Sequence, residues 1–282
     1  MIAAFADISL WQLVLVAGVA LIGSVVGGVA GYGTGALMPL VLVPILGPEP
    51  VVPIIAISGL LTNSGRVFAF LRLVDWRRAA IALIGAVPFV IVSAYGFTLL
   101  TGKAVQILIG VMLILTVPLR YAMRRRATVL GDGGLLFSSM GYGAVMGGTV
   151  GAGVILLSIL MSAGLQGAAV IATDAVISIV VGIVRLSVFG YTGVITTQVV
   201  AFGLLIGVVG FTGAFLAKAF VERLPVRVHT AILDAVVLVG GVVMVVGALS
   251  RDWSPRSARW EATIIEVCKN EKQSFNFRCR PV

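Results

Sequence analysis

Apolar residues run almost unbroken over positions 10–30, and the run ends in a glycine cluster, Gly27-Gly28-Val29-Ala30-Gly31-Tyr32-Gly33-Thr34-Gly35. At about 1.5 Å per residue this stretch predicts a helix long enough for the ~30 Å hydrocarbon core of a bilayer. A shorter apolar stretch at 36–46 follows, with Pro39 and Pro44 inside it. It is too short for a straight crossing and predicts a half-helix or a tightly tied return. Gly47-Pro48-Glu49-Pro50 forms a turn. Longer apolar segments come next at 51–71, 79–100 and 104–119. Polar stretches divide them: Arg72, Asp75, Arg77 and Arg78 first, then Thr101-Gly102-Lys103, and finally Arg120, Arg124, Arg125 and Arg126.

The same order returns in the second half, at 134–150, 154–163, 167–188, 195–220 and 228–249. A second glycine cluster, Gly147-Gly148-Thr149-Val150-Gly151-Ala152-Gly153, stands in register with the first, so that Gly31 and Gly151, and Gly33 and Gly153, are each 120 positions apart. The recurrence predicts an internal duplication: a first repeat over 1–126 with its basic loop, a second over 127–249, and a polar tail over 250–282. Apolar, glycine-rich helices can also resemble one another through composition alone. If each glycine-broken pair crosses twice, a half has five crossings and the two halves are inverted; if once, four crossings make them parallel. The basic residues at 72–78, 120–126 and 218–227 share one side in the inverted version, as the positive-inside rule prefers, although the basic tail then lies on the other.

Composition agrees with this pattern. With 282 residues, 60% hydrophobic, 11% charged and a mean hydropathy of +1.15, the chain is too apolar for a soluble fold and reads as an all-α polytopic membrane protein. A net charge of +9 would suggest nucleic acid in a soluble domain, but these charges sit in short loops and the tail, where topology and anionic lipid account for them. The lipid bilayer is therefore the expected partner, and nucleic acid is not. One histidine, His229, and two cysteines, Cys268 and Cys279 in the tail, offer no metal cluster, and no cofactor is expected. The N-terminal run reads as a first membrane segment and not a cleaved signal peptide.

Ionisable residues inside apolar segments are few: Arg66, Asp174, Arg185 and Asp234. A charge at mid-bilayer costs about 2.5–3.5 kcal/mol on insertion scales, so such residues face the bundle interior or a water path. Arg66 either snorkels to the interface or, with Asn63 three positions earlier on the same helical face, coordinates an oxyanion. Arg185 occupies a similar late position in its repeat. Asp174, about two turns into its helix, can take up and release a proton; the alternatives are pairing with Arg185 or capping a neighbouring helix. Asp234, nearer a helix start and His229, reads as matching the helix dipole. Helix N-termini opening near Thr34 and Val154 would point unpaired N–H groups into a cavity shaped by Gly31, Gly33, Gly151 and Gly153; the alternative is close packing through small residues.

The two clusters, Gly-Gly-Val-Ala-Gly-Tyr-Gly-Thr-Gly and Gly-Gly-Thr-Val-Gly-Ala-Gly, together with segment order and repeat spacing over 10–249, resemble the TauE/SafE (sulfite exporter, TSUP) permeases. The resemblance implies a non-enzymatic, multi-pass protein of the bacterial inner membrane moving sulfur oxyanions or organosulfonates. It also implies about eight spans, where the segment count is ten. Few polar residues follow the second break at 154–158, a departure from the family's pattern. The expectation is a secondary transporter of a small anion. In it Gly31, Gly33, Thr34, Asn63, Arg66, Gly151, Gly153 and Arg185 contact the substrate and Asp174 carries a coupling proton. A passive anion channel and a non-catalytic subunit of a larger assembly are the alternatives. No GxxxxGK[ST] sequence is present, so energy comes from an ion gradient.

Overall fold

The computed structural model describes residues 8–30, 33–125, 130–220 and 226–250. Within them the chain forms ten α-helices and no strand: α1 Leu10–Ala30, α2 Gly33–Leu46, α3 Val51–Phe70, α4 Trp76–Thr98, α5 Gly102–Arg125, α6 Asp132–Met146, α7 Gly153–Ser162, α8 Ala168–Tyr191, α9 Thr197–Phe220 and α10 Val226–Ser250. Windows of α3, α4, α5 and α8 are long and apolar enough to cross a membrane. The protein is an all-helical, polytopic membrane protein. The tail with Cys268 and Cys279, and Gly31 and Arg126, lie outside the described residues.

Both glycine clusters break the chain between helices, and the second breaks it sooner than its apolar pattern predicts. The expected segment ran to residue 150, whereas α6 stops at Met146. The glycine at this end is required by the contact with α4. A Cβ on Gly147 would overlap the Ser93 hydroxyl and come within 2.5 Å of the Val90 carbonyl oxygen and 2.6 Å of the Ala94 nitrogen. One turn earlier a Cβ on Gly143 would fall on the Ala86 carbonyl oxygen. Small residues four apart thus let α6 lie backbone to backbone on α4. Gly143→Leu is expected to destabilise the fold by on the order of 3 kcal/mol through overpacking, read as a lower melting temperature and less monodisperse protein in detergent.

Short helices give α6 and α7 a particular shape. The Leu130 N–H donates to the Ser162 carbonyl at 2.7 Å, bringing the start of α6 beside the end of α7. The 15-residue α6 and 10-residue α7 therefore make a hairpin that leaves on the side where it enters, with Gly147–Ala152 at its tip. At about 1.5 Å per residue α7 rises only about 15 Å, half a hydrocarbon core. In the first half, a Cβ on Gly23 of α1 would lie 3.2 Å from the Thr34 Cα, so α2 starts alongside the body of α1.

Helix packing has a regular order. α3 packs on α8 and α5 on α10. Each remaining major pair has a counterpart five helices on: α3 with α9 and α8 with α4, α1 with α9 and α6 with α4, α1 with α2 and α6 with α7. Partners five apart run antiparallel. Along α5, Gln106 faces Met244 and Gly247, Gly110 faces Gly241 and Val245, and Ile114 faces Gly241, so position rises on one helix as it falls on the other. On α8, Gly182 faces Leu60 and Ala56 of α3, while Asp174, nearer the start of α8, feels the charge of Arg66 near the end of α3.

The helix ends sort by face. Arg72, Asp75 and Arg78 line one groove with Gly164 and Gln166, and Arg77 pairs with Asp132 at 2.6 Å. The α3–α4 loop, the start of α6 and the α7–α8 loop thus share a face. Gly102 meets Glu49 and Pro48 where α2 turns into α3 and α4 into α5.

Candidate functional site

The two breaks meet across α3 and α8. A Cβ on Gly35 would lie 3.5 Å from the Gly151 nitrogen, so the first turn of α2 faces the tip of the α6–α7 hairpin. Gly151 holds φ +82°, a backbone conformation side chains oppose. Around this junction lies a cavity of about 110 Å³. Thr34 and Gly35 line it from α2, and Val150, Gly151 and Gly153 from the second break. From α3 come Ser58, Thr62, Asn63 and Arg66, and from α8 come Asp174, Ser178, Gly182 and Arg185.

Helical spacing explains these two walls. Positions 58, 62 and 66 on α3, and 174, 178, 182 and 185 on α8, recur every three or four residues and so share one face of each helix. The α3 wall uses its polar groups within itself. Ser58 donates to the Ile55 carbonyl at 3.1 Å, Thr62 to the Ser58 carbonyl at 2.7 Å, and Arg66 Nη1 to Asn63 Oδ1 at 3.4 Å.

On the α8 wall, Arg185 is 1% exposed. Its Nη2 donates to the Thr149 carbonyl at 3.1 Å, and its guanidinium sits 5.9 Å from the Phe189 ring centroid. The arginine therefore holds the tip of the hairpin against α8. Among the described residues its Nε finds no hydrogen-bond partner, and neither does Oδ1 of Asp174 nor the hydroxyl of Tyr142, all buried. Thr173, just before Asp174, accepts a hydrogen bond from the Asp75 N–H at 3.0 Å, pinning the α3–α4 loop to α8 beside the cavity.

Of the residues singled out in the sequence, Thr34, Asn63, Arg66, Gly151, Gly153, Asp174 and Arg185 border this one cavity. Gly33 opens α2, and Gly31 lies outside the described residues. Asp174 does not pair with Arg185; the cation whose charge acts on it is Arg66. Asp234 lies eight residues into α10, buried and beyond the first turn where a helix dipole acts. Sequence reasoning passed over Ser58, Thr62, Ser178, Gly182 and Tyr142. Ser58 with Ser178, and Thr62 with Gly182, repeat at the 120-residue spacing of the glycine clusters, a signal that would have found them. Tyr142 carries no such mark.

The cavity thus brings together two arginines, one aspartate and the first turns of α2 and α7. Comparison with curated proteins and with solved structures gives no match. A family model described as Sulfite exporter TauE/SafE matches residues 15–244, from within α1 to within α10. The chain thus belongs to the TauE/SafE sulfite exporter family of membrane transporters.

Proposed function

We propose that the protein is a secondary transporter of a small sulfur oxyanion or organosulfonate, working by alternating access as residues 1–126 and 127–249 move against each other. The observation that carries this is the convergence of Thr34 and Arg66 from the first half with Gly153 and Arg185 from the second on one cavity. The N-termini of α2 and α7 bring partial positive charge and free N–H groups to the same place. Its volume of about 110 Å³ suits a small polyatomic anion. With Asp174 ionised the lining carries a net charge of +1, and gain or loss of a proton there is the coupling step. An ion gradient, and not a nucleotide, supplies the energy.

The halves are inverted repeats. Antiparallel packing of α3 with α8 and of α5 with α10 supports this, because parallel repeats would set equivalent helices running the same way. The α6–α7 hairpin contributes an even number of passages and leaves α8, α9 and α10 to make the count of the second half odd. Arg72, Arg77 and Arg78 then mark the cytoplasmic face of a bacterial inner membrane.

Counterflow of labelled sulfite, sulfoacetate and simple carboxylates in proteoliposomes tests this. Saturable, trans-stimulated flux of sulfite or sulfoacetate at least tenfold above empty vesicles, enhanced by a pH gradient, is expected. Flux linear in concentration and indifferent to the gradient would assign a passive channel, and a neutral or cationic substrate would remove the anion reading.

A further inference from the structure

The two walls of the cavity differ in what they leave unbonded. Ser58, Thr62 and Arg66 on α3 all donate within their own helix. On the opposite side, Asp174 is 4% exposed and its Oδ1 has no hydrogen-bond partner among the described residues. Arg185 Nε and the Tyr142 hydroxyl are equally without partners, and that hydroxyl lies within electrostatic reach of both Asp174 and Arg185. Ser178 lies beside it without closing a hydrogen bond of normal geometry.

Buried polar groups in a membrane protein are rarely left so, because no water replaces the missing bond. A carboxylate wants a donor, and an anion entering beside it is repelled unless a proton stands between them. We infer that the ligand of this cavity is a weak-acid oxyanion, one that carries or readily takes a single proton on oxygen, and that this proton bridges the ligand to the Asp174 carboxylate. The inference rests on the anion-transport reading and narrows it.

In the bound state the ligand's O–H donates to the Asp174 carboxylate. Arg185 Nε–H donates to another ligand oxygen. The charged and titratable groups around Asp174 are Arg66 on α3, Tyr142 on α6 and Arg185 farther along α8, while Asp75 and Arg78 at the start of α4 pair with each other at 2.9 Å. Oxygens of strong-acid anions such as sulfate or methanesulfonate are too weakly basic to hold the shared proton, and face the carboxylate as like charges.

Thermal stabilisation of the purified full-length protein near neutral pH provides the test. Inorganic phosphate is compared with sulfate, which matches it in size and shape but carries no proton, and sulfite is compared with methanesulfonate. Phosphate and sulfite are expected to bind at least tenfold more tightly than their partners. In Asp174→Asn the ratio falls to within threefold, because an amide N–H donates to any of these anions. Tyr142→Phe, beside Asp174 but outside the cavity lining, keeps the ratio. Sulfate binding as tightly as phosphate, or discrimination that survives in Asp174→Asn, overturns the inference while the anion reading stands. Should Asp174→Asn not fold, the wild-type ratio decides the matter. No stabilisation by any of the four removes both readings.

Discussion

Gly151→Leu is expected to bring anion flux to background while the protein still inserts and purifies as a folded species. Two effects act together. A side chain at φ +82° is strained by about 1–3 kcal/mol, and at Gly151, which borders a cavity of only about 110 Å³, the Cβ alone would lie 3.6 Å from the Thr116 hydroxyl, so the rest of a leucine crowds the cavity margin. Strain alone changes stability, whereas filling the cavity removes function. Gly35→Ala separates the two, because a methyl group there meets Gly151 at an ordinary 3.5 Å; it should keep most of the flux and the melting temperature. Counterflow and melting curves on both variants check the pair. Full flux in Gly151→Leu would leave the glycine junction a packing contact only.

Arg185→Ala should abolish flux, by at least a hundredfold, and also lower the melting temperature, while Arg66→Ala should lose flux with little change in stability. The difference comes from what each guanidinium holds. Arg185 is fully enclosed and fixes the Thr149 carbonyl at the hairpin tip at 3.1 Å. Removing it leaves that carbonyl without its donor, a loss of about 1.5–3 kcal/mol for a hydrogen bond to a charged group. The hydrogen bond that Arg66 makes among the described residues goes to Asn63, in its own helix, at 3.4 Å, while its charge also acts on Asp174. Arg185→Lys should recover part of the stability but little flux, since an ammonium cannot hold Thr149 and present a second N–H in the plane of a fork. Wild-type flux in both alanine variants would remove the arginines from the substrate path.

The sequence disclosed more of this site than its low complexity suggests, and for a physical reason. In a chain that is 60% hydrophobic, a charge or a glycine cluster inside an apolar run is costly and stands out. Arg66, Asp174, Arg185 and Gly151 were visible on that ground. Tyr142 was not, because a tyrosine in an apolar helix is unremarkable until its hydroxyl is found buried without a partner. Ser58 and Ser178 were hidden among hydroxyls that ordinarily bond back to their own helix.

By itself the sequence determined the helical membrane class, the order of ten segments, the two breaks and the shortness of the stretches after them, since all follow from local hydropathy and from backbone freedom at glycine. Only the tertiary structure decided that α6 and α7 fold back as a hairpin, that Gly35 faces Gly151, and that the charge of Arg66 acts on Asp174. Those relations depend on which helix lies against which and in what direction. That is set by long-range packing, such as the close approach of Gly143 and Gly147 to α4, for which the hydrophobic period carries no signal. Wherever every face of a helix is apolar, the pattern says that it is buried or lipid-facing, and its neighbour decides the rest.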